Sequence, residues 1–147
     1  MHVIRGFFLL LSLTLLSGCG SVFDSRTPHA SLRSVAVSAE AGANFGSATQ
    51  LDIVVVFTGT ADATLPSTGP DWFRQRAALQ SALAKQISVV SQQVPPASAA
   101  VDVVLSRNHE MAVAVYAFAN YSVPEGVLRI ALTDYSSVVL RLQVTAI

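Results

Sequence analysis

Leu51-Asp52-Ile53-Val54-Val55-Val56-Phe57-Thr58 is the run that decides the fold. In an extended chain Leu51, Ile53, Val55 and Phe57 fall on one face, and Asp52, Val54, Val56 and Thr58 on the other. A strand exposed on one side would be polar there. Val54 and Val56 make the second face apolar as well, so this strand is expected to be central and covered on both faces.

The segments on either side continue the β pattern. Upstream, Ser34 to Ala39 alternates, with Val35 and Val37 on one side, and reads as a half-buried first strand. Glu40 to Gln50 is a loop of small residues with one aromatic, Phe45. Downstream, Gly59 to Gly69 reads as a second loop. Thr68 and Asp71 then have the Thr-x-x-acid spacing of a helix start, with Pro70 in the first turn. Trp72, Phe73, Leu79, Leu83 and Ile87 recur at intervals compatible with one helical face, which predicts a helix from about Gly69 to Ala84. Trp72 and Phe73 read as anchors seating that helix on a sheet; the alternative is an exposed aromatic hot spot.

Further strands are expected over Gln86 to Val94, ended by Pro95-Pro96, and over Val101 to Leu105. The turn Ser106-Arg107-Asn108-His109 predicts a hairpin between Val101 to Leu105 and the apolar run Glu110 to Asn120. Pro124-Glu125-Gly126 marks another turn, followed by strands at Val127 to Leu132 and Ser137 to Val144. The whole is mainly β: a β-sandwich of about seven strands with one inserted α-helix.

The N-terminus carries a different kind of signal. Arg5 precedes an apolar run from Phe7 to Leu16, and Leu16-Ser17-Gly18-Cys19 follows it. This resembles a bacterial lipoprotein signal, in which the cysteine sulfur is acylated and the preceding segment is removed. Residues 1–18 are therefore expected to be a cleaved signal peptide, 19–32 the acylated cysteine with a flexible tether, and 33–147 the sandwich domain. The only cofactor-like group implied is the covalent lipid on Cys19. The run is too short to cross a membrane, which takes about 20 apolar residues. Gly20, rather than Asp, follows the cysteine; in enterobacterial lipoproteins that choice goes with export to the outer membrane, with the domain facing the periplasm.

Composition narrows the function. The 147 residues carry 9 basic and 9 acidic side chains, and loss of Arg5 with the signal leaves the mature part slightly negative. No basic stripe exists for phosphate contacts, which argues against nucleic acid as a partner. Cys19 is the one cysteine, so no intramolecular disulfide can form. His29 sits in the tether and His109 stands alone in a turn, without a second ligand at metal-binding spacing. The carboxylates are dispersed, there is no Gly-x-Ser-x-Gly, and no glycine-rich phosphate loop. Asn120-Tyr121-Ser122 has the form of a glycosylation sequon, discounted for a bacterial lipoprotein. An enzyme is not expected.

The order of elements resembles the TssJ lipoproteins of bacterial type VI secretion. Val35 to Ala39, then Ala43-Asn44-Phe45-Gly46-Ser47, then Leu51 to Phe57 match that family's first strand, loop and apolar second strand. Glu110 to Asn120, with Ala117-Phe118-Ala119-Asn120, followed by Val127 to Leu132 and Val138 to Val144, is similar in order and spacing. Identities are few: the family's Phe-Arg-Asp ending stands here as Phe118-Ala119-Asn120, and no proline lies between Glu40 and Leu51.

The resemblance implies a transthyretin-like sandwich on the outer membrane that binds the periplasmic part of an inner-membrane partner, TssM. It also implies that the loop between the first two strands makes the contact, which places Asn44, Phe45, Gly46 and Ser47 at the binding site. For Phe45, packing back onto the core is an equal expectation. An outer-membrane lipoprotein of unrelated role, a pilotin or a small-ligand carrier, is the alternative.

Overall fold

A computed structural model describes residues 29–123 and 127–147. The expected signal peptide, Cys19, most of the tether and the Pro124-Glu125-Gly126 turn lie outside the described residues. Among the described residues there are seven strands: β1 (Ser34–Ala39), β2 (Thr49–Val56), β3 (Ile87–Val94), β4 (Val101–Val103), β5 (Ala114–Asn120), β6 (Ile130–Ala131) and β7 (Ser137–Leu142). They form two sheets, ordered β4-β1-β7 and β3-β2-β5-β6. Two helices lie between β2 and β3: α1 (Gly59–Thr64) and α2 (Gly69–Leu83).

β2 is central, as its two apolar faces require. It pairs antiparallel with β3 along its full length and with β5 from Gln50 to Val56. Leu51, Ile53 and Val55 face the other sheet and pack with Val35, Val37, Val115, Leu140 and Leu142. Val54 and Val56 face outward and pack under α2, against Trp72, Leu79, Leu83 and Phe118. The molecule therefore has three layers, sheet, sheet and helix, with an apolar core in each gap.

α2 begins where the sequence places it. The Thr68 hydroxyl accepts from the Asp71 backbone N–H at 3.3 Å and donates to the Asp71 carboxylate at 2.8 Å. The helix stops at Leu83 because Ala84 turns to φ 37, ψ −109, and a single 3-10 turn (Ala84–Gln86) leads into β3. Trp72 is wholly buried and its ring stacks on Phe118 of β5, centroids 4.9 Å apart at 20°. Phe73 is partly buried beside it. Both residues are core anchors.

Gly69, the first residue of α2, sits against β5. A Cβ there would lie 2.3 Å from the Ala119 carbonyl oxygen, and its own N–H donates to the Val127 carbonyl at 2.8 Å. Gly69→Ala should therefore destabilise the domain by about 2 kcal/mol through overpacking against backbone, although alanine is the better helix former. Urea unfolding checks this: an unchanged midpoint would mean that α2 can move away from β5 without loss.

Two expectations from sequence are corrected. Val101 to Leu105 and Glu110 to Asn120 do not form a hairpin. β4 pairs with β1 in one sheet, whereas β5 pairs with β2 and β6 in the other, so the 106–113 segment crosses between sheets. Alternation reports which face of a strand is buried; it carries no information on the partner. The Gly59 to Gly69 loop contains α1, capped by Thr58, whose hydroxyl accepts from the Ala61 N–H at 3.2 Å. Among the described residues, packing is already present at Ala30, inside the segment expected to be tether. Ala30 and Leu32 are buried, and the Ala30 and Ser31 N–H groups donate to the carbonyls of Ala112 (2.7 Å) and Thr133 (2.8 Å). Small side chains let this segment lie close to its neighbours, and Leu32 fills the core.

Candidate functional site

The β1–β2 loop is built around three successive residues with positive φ: Asn44 (φ 48), Phe45 (φ 55) and Gly46 (φ 78). Glycine adopts this region freely and asparagine tolerates it, but for a bulky residue such as phenylalanine it is strained. A conformation of this kind costs about 1–3 kcal/mol and persists only where the surroundings impose it.

Here the surroundings do so through Asn44. Its side chain is 2 % exposed, and its Oδ1 accepts from the Ser122 backbone N–H at 2.7 Å. Its own N–H donates to the Gln143 carbonyl at 3.1 Å, and its carbonyl accepts from the Ser47 N–H at 3.0 Å. The loop is thereby tied to the residues following β5 and to those following β7. Tyr121, beside Ser122, adds a second tie by donating its hydroxyl proton to the Ala146 carbonyl. Burial pushes its phenol up to about 12, so the donor stays protonated across the physiological range.

Phe45 points the other way. Its side chain is 61 % exposed, so of the two expectations for it the packed one fails. Asn44 is buried and positions the tip, while Gly46 and Ser47 are exposed beside Phe45. Val144, also exposed, lies next to the loop, its Cγ2 3.3 Å from where a Cβ on Gly42 would be. Sequence reading missed Val144 because the C-terminal residues carry no motif; only the tertiary packing brings them to the loop.

A second polar feature escaped the sequence reading. Asp52, in the middle of β2, is fully buried beneath α2. Its Oδ2 accepts from the Trp72 indole N–H at 2.8 Å and lies 2.8 Å from Arg76 Nε. The Arg76 N–H is poorly aligned with the oxygen, so the contact is an ion pair more than a hydrogen bond. A buried carboxylate must be compensated in this way, and with both groups committed to it Asp52 is a structural fastening between helix and sheet. His109, the lone turn histidine, has its Nδ1 2.8 Å from the Ser106 carbonyl within its own turn. It borders an open groove of about 600 Å³ with Arg33, Glu110 and Ser136. Among the described residues, no three His, Cys, Asp or Glu side chains gather as metal ligands.

No family model matches the chain, and no curated protein does. Solved structures do. The Serratia marcescens protein Lip, a membrane-bound component of the type VI secretion system, superposes with a TM-score of 0.53 at 12% identity, over 77% of this chain and 91% of that one. The type VI secretion lipoprotein TssJ1 from Pseudomonas aeruginosa superposes with a TM-score of 0.58 at 14% identity, over 78% and 90%. This chain has the TssJ-like fold. At such identity what is shared is the backbone architecture, and the β-sandwich expected from sequence is the one found. Among the described residues no helix is long and apolar enough to cross a membrane.

Proposed function

We propose that this protein is a lipid-anchored, non-enzymatic component of a type VI secretion membrane complex. Acylated Cys19 would hold it to the outer membrane with the domain facing the periplasm. The β1–β2 tip would bind the periplasmic part of an inner-membrane partner similar to TssM.

The observation that carries this reading is Phe45. It is a large apolar side chain, held out in solvent by a strained and tethered loop, on a fold shared with lipoproteins of that system. Strain at an exposed position is retained when the position is used. A pre-positioned aromatic ring also loses little freedom on association, which is the make-up of an interface hot spot. Asn44 would act as the positioning residue, with Phe45, Gly46 and Ser47 meeting the partner.

The test uses the full chain in detergent and the periplasmic domain of the inner-membrane secretion component from the same organism. The two should bind, and Phe45→Ala should weaken binding by about 30-fold, as for a hot-spot residue. Thermal stability should stay within about 0.5 kcal/mol, because an exposed side chain is removed. Wild-type affinity in the variant would remove Phe45 from the interface. Capture of only an outer-membrane pore subunit would favour the pilotin alternative instead.

A further inference from the structure

Two open sheets leave four edges, and in this domain they are unlike one another. β4 is three residues long and β6 two, too short to template a new strand. β3 has eight residues, but Ser88 and Gln92 stand on the side facing the sandwich interior, paired across from Val55 and Leu51. Polar side chains on that inward face leave an added strand little apolar surface to cover there. β7 differs: its six residues, Ser137 to Leu142, contain no lysine and no proline, and among the described residues it has no neighbour in its sheet beyond β1.

Beside that edge the gap between β7 and β6 forms an apolar groove of about 400 Å³. Tyr135 (59 % exposed) and Val139 (62 % exposed) stand at it, with Ile130 and Ile147 also lining it. Arg141, itself exposed, is the one charged residue along the groove. The groove runs toward the β1–β2 tip: just past its end, the Leu142 carbonyl accepts from Glu40 N–H (2.9 Å) and the Gln143 carbonyl from Asn44 N–H (3.1 Å).

We infer that β7 accepts an extended segment of the partner as an added strand. The inference rests on the reading of the tip as the partner-binding site, and extends it. The open N–H and C=O groups of β7 supply main-chain hydrogen bonds, and the groove takes every second side chain of the segment. The segment has apolar residues in alternate positions and a carboxylate opposite Arg141, because that guanidinium is the one charged side chain lining the groove. Phe45 then meets the partner just beyond the end of this strand, so strand and tip form one continuous interface.

Amide hydrogen exchange on the full chain in detergent, with and without the periplasmic domain of the inner-membrane component, tests this directly. Alternate β7 amides should slow by about tenfold or more on binding, together with those of residues 42–47. Arg141→Glu should weaken binding about tenfold, with Arg141→Lys close to wild type. Slowing confined to 42–47, with Arg141→Glu binding normally, would overturn the added strand and leave the tip contact standing. No complex at all would overturn both. Slowing of β7 that rises with protein concentration in the absence of the partner would assign the edge to a second copy of this chain instead.

Discussion

Trp72→Ala should lower the unfolding free energy of the domain by about 4 kcal/mol, a usual value for loss of a buried aromatic. Two losses combine. The indole is wholly buried and stacked on Phe118, so removal leaves a cavity between α2 and the β2–β5 pair. It also donates to Asp52, a carboxylate with no access to water. Without that donor Asp52 keeps only the Arg76 ion pair, and an under-compensated buried charge adds its own cost. Trp72→Phe separates the two effects. It keeps a ring against Phe118 and loses the N–H, so it should cost about 1–3 kcal/mol, the penalty for an unmet buried acceptor. Urea unfolding with an unchanged slope is the measurement. If the phenylalanine variant were as unstable as the alanine variant, packing would not be the main term. A drop below about 1 kcal/mol for alanine would mean that α2 is not seated through Trp72.

Cys19→Ser should move the protein from the membrane fraction to the soluble or unprocessed one, with no change in the folding of the domain. Each buried methylene of an attached chain contributes about 0.8 kcal/mol, so a single acyl chain binds reversibly and two chains hold almost permanently. Serine offers no thioether, so the whole of that attraction is lost at once. The sandwich itself should be untouched, since its described residues contain no cysteine. Membrane fractionation with a thermal melt on the same sample checks both halves. A serine variant that still sediments with membranes would show that Cys19 is not the anchor.

How much of this was legible in the sequence depended on how local the cause was. β2 and α2 were readable because their causes lie within a few residues: apolar residues on both faces of a strand, and a Thr-Gly-Pro-Asp start to a helix. α1 was missed because six residues of Gly, Thr, Ala and Asp show no apolar period; Thr58, in N-cap position three residues before Ala61, was the one available sign. Strand pairing was beyond reach, since β4 and β5 alternate as hairpin strands do and yet join different sheets.

The site divides in the same way. Asn44-Phe45-Gly46 could be singled out, but which side chain faces inward depends on Ser122 and Gln143, far along the chain. Asp52 did carry a warning. A carboxylate in a run otherwise apolar on both faces has to find a buried partner, and Trp72 and Arg76 are four residues apart on the helix that covers it.

If Cys19 carries the anchor, the burial of Ala30 limits the reach of the molecule. Eleven residue steps separate Cys19 from Ala30, and a fully extended chain advances at most about 3.5 Å per step. If the acyl chains sit in the outer membrane, the first packed residue can stand no more than about 39 Å from them. On that premise the domain would occupy only a shallow shell beneath the bilayer. A partner rooted in the opposite membrane would then have to span the remaining distance itself, and the two would meet only where that span is complete.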